Sequence, residues 1–422
     1  MKKAHSIKLD VCAIISDMGP QNRALWRLNQ ISAGRFSKIN NVQEYLINDT
    51  EKKKNYFVAD ATHVYKNIRL ALTDGNTLYL SQDVVSKYNL PTNEITIEPI
   101  KKVVEEDNKM ELKIAPYLKE THLNPNHYQK MAVQGAMAIL NHDTSAAIKF
   151  YISKGKISQN HLTTAWFLEL IYKWYSILSS RSAKLGLSKN NMVEYEETLK
   201  FLKDMIHITS NIKIGQKGHW KPIQTGILLS TQTVLDLQEK FLNTHKFQYL
   251  LLSRFTQDAL ENLFSNIRSR NPVPNAKEFK TAMRLISVSQ YFKEPKYGNY
   301  GITDDIPLVD FFTDDNQSDI EVEPFLTIDS LADNIKLEEK QSLYYLLGSI
   351  IRNIKNNQLH CHTCFSTIAT QDLETTEDLK TLVDLKSYKE GLLLYPSKLI
   401  FDVVLEAETF FRKNCSKCLC WI

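Results

Sequence analysis

The stretch Val11-Cys12-Ala13-Ile14-Ile15-Ser16-Asp17 is an apolar, β-branched run closed by an acid, and Met18-Gly19-Pro20 breaks it. A short apolar run bounded by turn residues predicts a buried strand. A helical stretch, Asn22 to Gln30, follows. The pattern then repeats: Tyr56-Phe57-Val58-Ala59 ends in Asp60 and leads into a helical stretch from Thr62 to Leu72. Strand, acid, helix, twice over, is how an α/β sheet places polar groups at the carboxyl ends of its strands, where ligands bind.

Outward from these runs, residues 73–108 carry turn signals and a Lys/Glu-rich stretch, Lys101 to Lys109, which reads as a surface linker. From Ile114 to Leu237 the pattern becomes helical, with apolar residues near 3.6 spacing over Asn126–Leu140, Thr163–Ser179, Val193–Ile206 and Thr231–Leu242. This block reads as an all-helical insertion. Two further helices are expected, Thr256–Ser269 and Ala276–Tyr291, separated by Asn271-Pro272-Val273-Pro274. Residues 297–335 collect Asp304, Asp305, Asp314, Asp315, Asp319, Glu321 and Glu323, the composition of an acidic linker. A helical tail closes the chain. The expected segments are therefore 1–108, 109–243, 244–295, an acidic linker at 296–336, and 337–422.

A chain of 422 residues exceeds one compact core and predicts two or three domains. No apolar run approaches the roughly 18 residues of a membrane span, and Met1 to Asp10 lacks a signal core. Five of the six cysteines fall near the end, as Cys361, Cys364, Cys415, Cys418 and Cys420. They suit metal ligands or reduced thiols rather than a disulfide framework. Positive charge is concentrated before residue 300 and negative charge over 301–380. A basic front half suits a polyanion, although a solvated basic surface gives the same composition.

Three acids could carry chemistry. Asp17 ends a strand, while Asp258 and Glu261 stand three apart on one helix face, with Leu260, Leu263 and Phe264 expected to point into the core. Strand-borne and helix-borne carboxylates brought together can hold two Mg²⁺ or Mn²⁺ ions, which activate an attacking oxygen and stabilise the leaving oxygen of a phosphodiester. Any one of these acids alone is more often a cap or a salt-bridge partner.

Four segments together resemble the P-element transposase family, which includes the THAP-domain transposases. They are Ile14 to Trp26, Phe57 to Asn67, Trp220-Lys221-Pro222-Ile223-Gln224-Thr225-Gly226, and Tyr249 to Arg268, with a weaker echo at Leu385 to Ser397. The resemblance implies a ribonuclease-H-like α/β catalytic core split by an all-helical, GTP-binding insertion, followed by a mostly helical, Cys-containing C-terminal region. It implies DNA cleavage and strand transfer with divalent metal and GTP, in the nucleus, with transposon ends, target DNA and other transposase subunits as partners and no membrane. Asp17 falls on the family's second catalytic Asp and Glu261 on its catalytic Glu, with Asp258 the neighbouring acid. His63 and Lys66 match a recurrent stretch for which packing and DNA-backbone roles are equally open.

The sequence departs from the family in two places. The family's first catalytic Asp lies on an earlier strand, so the chain is expected to be N-terminally truncated, without that strand, the zinc-coordinating DNA-binding domain or the dimerisation segment. It is then expected to bind DNA without cutting it, as an inactive transposase core or a domesticated binding or interaction module. Where the family shows a Phe-Asp-x-x-Asn-Ser type sequence for guanine, this chain reads Tyr175-Ser176-Ile177-Leu178-Ser179-Ser180-Arg181. Ser176 stands at the acid's position and offers a weaker acceptor, with Ser179 and Arg181 beside it. The pairs Cys361/Cys364 and Cys415/Cys418 could close a structural Zn²⁺ site; reduced thiols without metal are the alternative.

Overall fold

The computed structural model describes residues 2–46, 52–126, 129–130, 132–183, 185–269, 271–292, 335–357, 361–370, 377–387 and 393–418. The expected acidic linker, 296–336, lies outside the described residues up to 334. The chain opens with α1 (Lys2–Ser6), β1 (Ala13–Ser16), α2 (Pro20–Leu28), β2 (Ser32–Gly34), β3 (Ser37–Asn40), β4 (Val42–Leu46), β5 (Lys52–Ala59) and α3 (Ala61–Thr73). Helices then dominate: α4 (Gln82–Lys87), α5 (Glu98–Asp107), α6 (Glu120–Leu123), α7 (Val133–Ile139), α8 (His142–Ser153) and α9 (Leu162–Leu178). Next come α10 (Met192–Asn211), α11 (Pro222–Gln238), α12 (Asp258–Arg268) and α13 (Ala276–Phe292). The tail holds α14 (Leu337–Asn357), α15 (His362–Ile368), α16 (Glu377–Lys386) and α17 (Lys398–Cys418). Among the described residues no helix is long and apolar enough to cross a membrane.

The chain forms two compact units. One comprises Met1–Ala71, Tyr79–Val84 and Lys173–Asn316; the other comprises Leu72–Leu78, Val85–Tyr172 and Gln317–Ile422.

The first unit is built on a sheet of order β1-β5-β4, with β1 parallel and β4 antiparallel to β5. Tyr56 to Ala59 are all buried, as a central strand covered on both faces requires. Truncating a fully buried ring such as Phe57 typically costs about 3–5 kcal/mol. Helix α11 covers β5 at close range. A Cβ at Gly226 would lie 2.5 Å from Met18 Sδ and 2.9 Å from Val64, so glycine sets how near this helix can lie. Two α11 hydroxyls then donate to strand carbonyls, Ser230 to Ala59 O at 2.6 Å and Thr233 to Phe57 O at 2.8 Å. The helix begins at Pro222, not at Thr231 as the periodicity suggested. Proline is preorganised for the first helical position, and the buried Gln224 side chain accepts from the Lys221 N–H at 2.9 Å. Trp174, fully buried, donates to Thr231 at 2.9 Å.

The second unit is helical. Its C-terminal core joins Leu343, Tyr344, Leu347 and Ile351 of α14 to Val383 of α16 and Phe401 of α17. Gly348 of α14 faces the Leu394 carbonyl, which a Cβ would overlap. The stretch Lys101 to Lys109 is not a linker: α5 spans most of it and buries Ile100, Val103, Val104 and Asp107. Its lysines and glutamates occupy the opposite face and hide the apolar stripe from a compositional reading. Asp107 accepts from the N–H groups of Ile114 and Ala115 at 3.1 and 2.8 Å and from the Tyr151 hydroxyl at 2.5 Å, tying the following loop to α8. On α17, Arg412 pairs with Glu339, Glu408 and Glu111.

Candidate functional site

Strand β1 runs beside β5 with Ser16 opposite Ala59, and the Asp60 N–H donates to Ser16 O at 2.9 Å. Asp17 and Asp60 therefore leave the sheet from neighbouring strand ends. The Asp17 Oδ1 accepts from the Gly19 N–H and the Asn22 amide, both at 2.7 Å, which turns the chain into α2. A Cβ at Gly19 would lie 2.9 Å from that oxygen, so the glycine belongs to the turn. Burial works against the charge on Asp17, but these two donors and the nearby His63 hold its carboxyl below the ordinary range.

Asp60 is only 1% exposed, and both its oxygens are engaged. Oδ2 accepts from the His63 N–H at 2.9 Å and from Nδ1 of the same residue at 2.8 Å. Oδ1 accepts from the Gln257 N–H at 2.7 Å, immediately before α12. Burial alone would raise this acid; the His63 ring and the Gln257 N–H outweigh it, and its pKa is lowered. One carboxylate thus caps α3 and fastens the start of the helix that carries Glu261.

His63 extends the link. Its Nε2 lies 3.7 Å from Glu261 Oε1, within ion-pair reach but beyond a hydrogen bond. Glu261 is half exposed. Asp258 turns to Arg181, whose Nη2 lies 2.8 Å from Oδ2. Tyr175 stacks on Tyr65 with ring centroids 4.1 Å apart. Burial pushes the Tyr175 phenol up, Thr62 offsets part of this, and Asp258 and Asp60 add to it.

Of the residues singled out from sequence, Glu261 is linked to Asp60 through His63, Asp17 leaves the neighbouring strand end, and Asp258 is paired with Arg181. Ser179 gives its hydroxyl to Tyr175 O at 2.7 Å, and Ser176 is half-buried on α9. Leu260, expected to point inward, is 47% exposed; the buried residue of α12 is Ile267, with Leu263 and Phe264 half-buried. The apolar stripe thus starts one turn later than the sequence suggests, because the first turn is given to the acids. Cys361 and Cys364 are exposed free thiols at the start of α15. Cys415 and Cys418 fall in the last turns of α17, and their side chains lie outside the described residues.

Among the described residues no three His, Cys, Asp or Glu side chains converge to hold a metal ion. Both Asp60 oxygens already accept N–H bonds. Asp17 and Glu261 are fewer than the carboxylates a two-metal centre uses, so this set does not by itself fit a metal pair. The tethering role of Asp60 was missed from sequence. Its spacing to His63 is readable as a helix cap, but its bond to Gln257 spans 197 residues.

Comparison with known proteins points to the transposase class. Residues 330–419 match the family model for the C-terminal domain of DNA transposase THAP9, and residues 62–191 match the GTP-binding insertion domain of TNP-like proteins. The Transposable element P transposase of Drosophila melanogaster is 26% identical over 294 residues, which is 67% of this chain and 36% of that protein. A solved Drosophila P element transposase strand transfer complex superposes with a TM-score of 0.57 at 22% identity, over 69% of this chain and 63% of that one, and shares its fold there. Over these segments the chain is similar to P-element-type transposases, and it spans about a third of the length of the Drosophila relative.

Proposed function

We propose that this chain is a DNA-binding transposase core, a ribonuclease-H-like sheet interrupted by a helical insertion, in which Asp17 and Glu261 mark where a phosphodiester is brought. The observation that carries this reading is the chain of contacts from the β1 and β5 ends through Asp60 and His63 to Glu261. Asp60 acts as a tether, since both its oxygens accept N–H bonds that join α3 to the start of α12. Cutting DNA calls for a further carboxylate beyond Asp17 and Glu261, and in this reading the chain binds DNA without cleaving it. The match over residues 62–191 supports GTP as a ligand of the insertion, and DNA as partner would place the protein in the nucleus.

The reading is tested by following cleavage and strand joining of a short duplex in Mn²⁺, with and without GTP, for the chain and for Glu261→Gln. The expected result is binding that weakens steeply with salt and no cleavage by either protein. Cleavage abolished by the substitution would show that the chain completes a catalytic centre, and an absence of DNA binding at low salt would remove the reading.

A further inference from the structure

We propose that the β2–β3 hairpin and the loop 212–221 form a binding surface for single-stranded DNA, with Phe36 stacking on a base and Lys213 and Lys217 holding phosphates. The inference rests on the DNA reading above and assigns it a place within the first unit.

The hairpin is closed tightly. Gly34 pairs with Ser37, and a Cβ at Gly34 would lie 2.8 Å from the Ser37 hydroxyl, so the two strands approach closely at the turn. Two residues remain at the tip, and they part company. Arg35 turns inward: its Nη2 donates to Ile212 O and Gly218 O, each at 3.2 Å, with the guanidinium 5.8 Å from the Trp220 ring centroid. Phe36 turns outward and is 96% exposed. The Phe36 ring contributes nothing to the core and presents an open face beside the basic loop, where a base can stack.

The loop held by Arg35 is rigid too. Gly215 and Gly218 take φ of 73° and 57°, left-handed conformations that fold the loop over Lys213. Trp220 donates to Thr225 at 2.8 Å, and Thr225 donates to Ala33 O at 3.1 Å, which fastens loop, hairpin and α11 into one piece. Lys38, Lys213, Lys217 and His219 are exposed on it. Neither 30–41 nor 211–222 contains an Asp or Glu. A single-sign basic surface attracts a polyanion, and an exposed ring beside it adds stacking. A duplex keeps its bases stacked on one another, whereas a single strand can lay one on Phe36.

The test is fluorescence anisotropy with the full chain, a labelled oligo-dT and a labelled duplex, over a salt series. Phe36→Ala is expected to weaken oligo-dT binding about tenfold, to leave duplex binding within about twofold because a paired base cannot stack on the ring, and to be restored by Phe36→Tyr. Lys213→Gln with Lys217→Gln is expected to flatten the single-strand salt dependence by about 1.4 in log–log slope. Phe36 is exposed, and unchanged melting of each variant confirms folding. Oligo-dT binding unchanged in Phe36→Ala, or a poly-glutamate peptide displacing DNA with no dependence on Phe36, would overturn the assignment. Duplex binding without single-strand binding would overturn it too while sparing the wider DNA reading; no binding to either would end both.

Discussion

Asp60 in the first unit and Asp107 in the second are equally buried, each 1% exposed, and each accepts two backbone N–H bonds and one side-chain bond. Their protonation nevertheless moves in opposite directions. For Asp60 the third partner is the His63 imidazole, and the donors overcome burial, lowering the pKa. For Asp107 it is the Tyr151 phenol, and burial wins, raising the pKa. Burial alone does not decide whether an acid is charged; the chemistry of its last partner does. The unit with the imidazole is the one with a second and third acid nearby, Asp17 and Glu261. The unit with the phenol uses its acid to hold a loop.

The largest contrast between the units concerns glycine. Gly348→Ala sets a Cβ against the Leu394 carbonyl, a backbone atom that cannot swing away, and should destabilise the second unit by about 3 kcal/mol. Gly226→Ala meets the mobile end of Met18 first and Val64 second, and should cost about 1–2 kcal/mol. Urea unfolding measures both. Met18→Ala added to Gly226→Ala should recover part of the loss if the thioether is the obstacle. Equal costs at the two sites would show that Leu394 can move.

Next comes the aspartate pair. Asp60→Asn removes charge from three donors and should cost about 2–4 kcal/mol, against about 1–2 kcal/mol for Asp107→Asn, whose acid is already pushed toward its neutral form. The pH dependence has opposite sign at the two sites. Asp60 has a folded pKa below 3.8, so its contribution is present above that value and is lost as pH falls through the lower folded pKa. Asp107 has a folded pKa above 3.8, so its contribution is present below 3.8 and is lost as pH rises through the higher value. Hydrogen-exchange protection of the Gln257 amide should therefore fall on acidification and that of the Ala115 amide should rise. Slopes of the same sign would sink this account of the difference.

What the sequence made legible follows the same division. Both strand ends could be read, because Ile14-Ile15 and Phe57-Val58 are apolar runs stopped by an acid, although only the second is fully buried and Ile14 and Ile15 are half-buried. The order of segments carried the resemblance, and α10, α12 and α13 lie where the spacing put them. Helix α5 was hidden by Lys101, Lys102, Glu105 and Glu106, which crowd its solvent face while Ile100, Val103 and Val104 fill the core. The start of α11 was hidden because Gln224 and Thr225, polar by type, are bonded inward. Asp17 and Glu261 could be named as partners, yet the tie between them could not. It runs through the Gln257 backbone, and a backbone N–H leaves no trace in a sequence.

The smallest expected effect sharpens what Arg181 is for. Sequence offered it as a nucleotide contact; the structure places its guanidinium on Asp258, at the first turn of α12. The pair is substantially exposed, so Arg181→Ala and Asp258→Asn should each shift unfolding by less than about 1 kcal/mol. If the pair orients that first turn, the double variant should add little to Asp258→Asn, since the ion pair is already lost there. If Arg181 serves only this pair, calorimetry with GTP should give the same affinity for the chain and both variants. A tenfold loss confined to Arg181→Ala would make it a nucleotide ligand that borrows Asp258 as a resting partner. Additive stability losses would instead show that each residue has separate work in the fold.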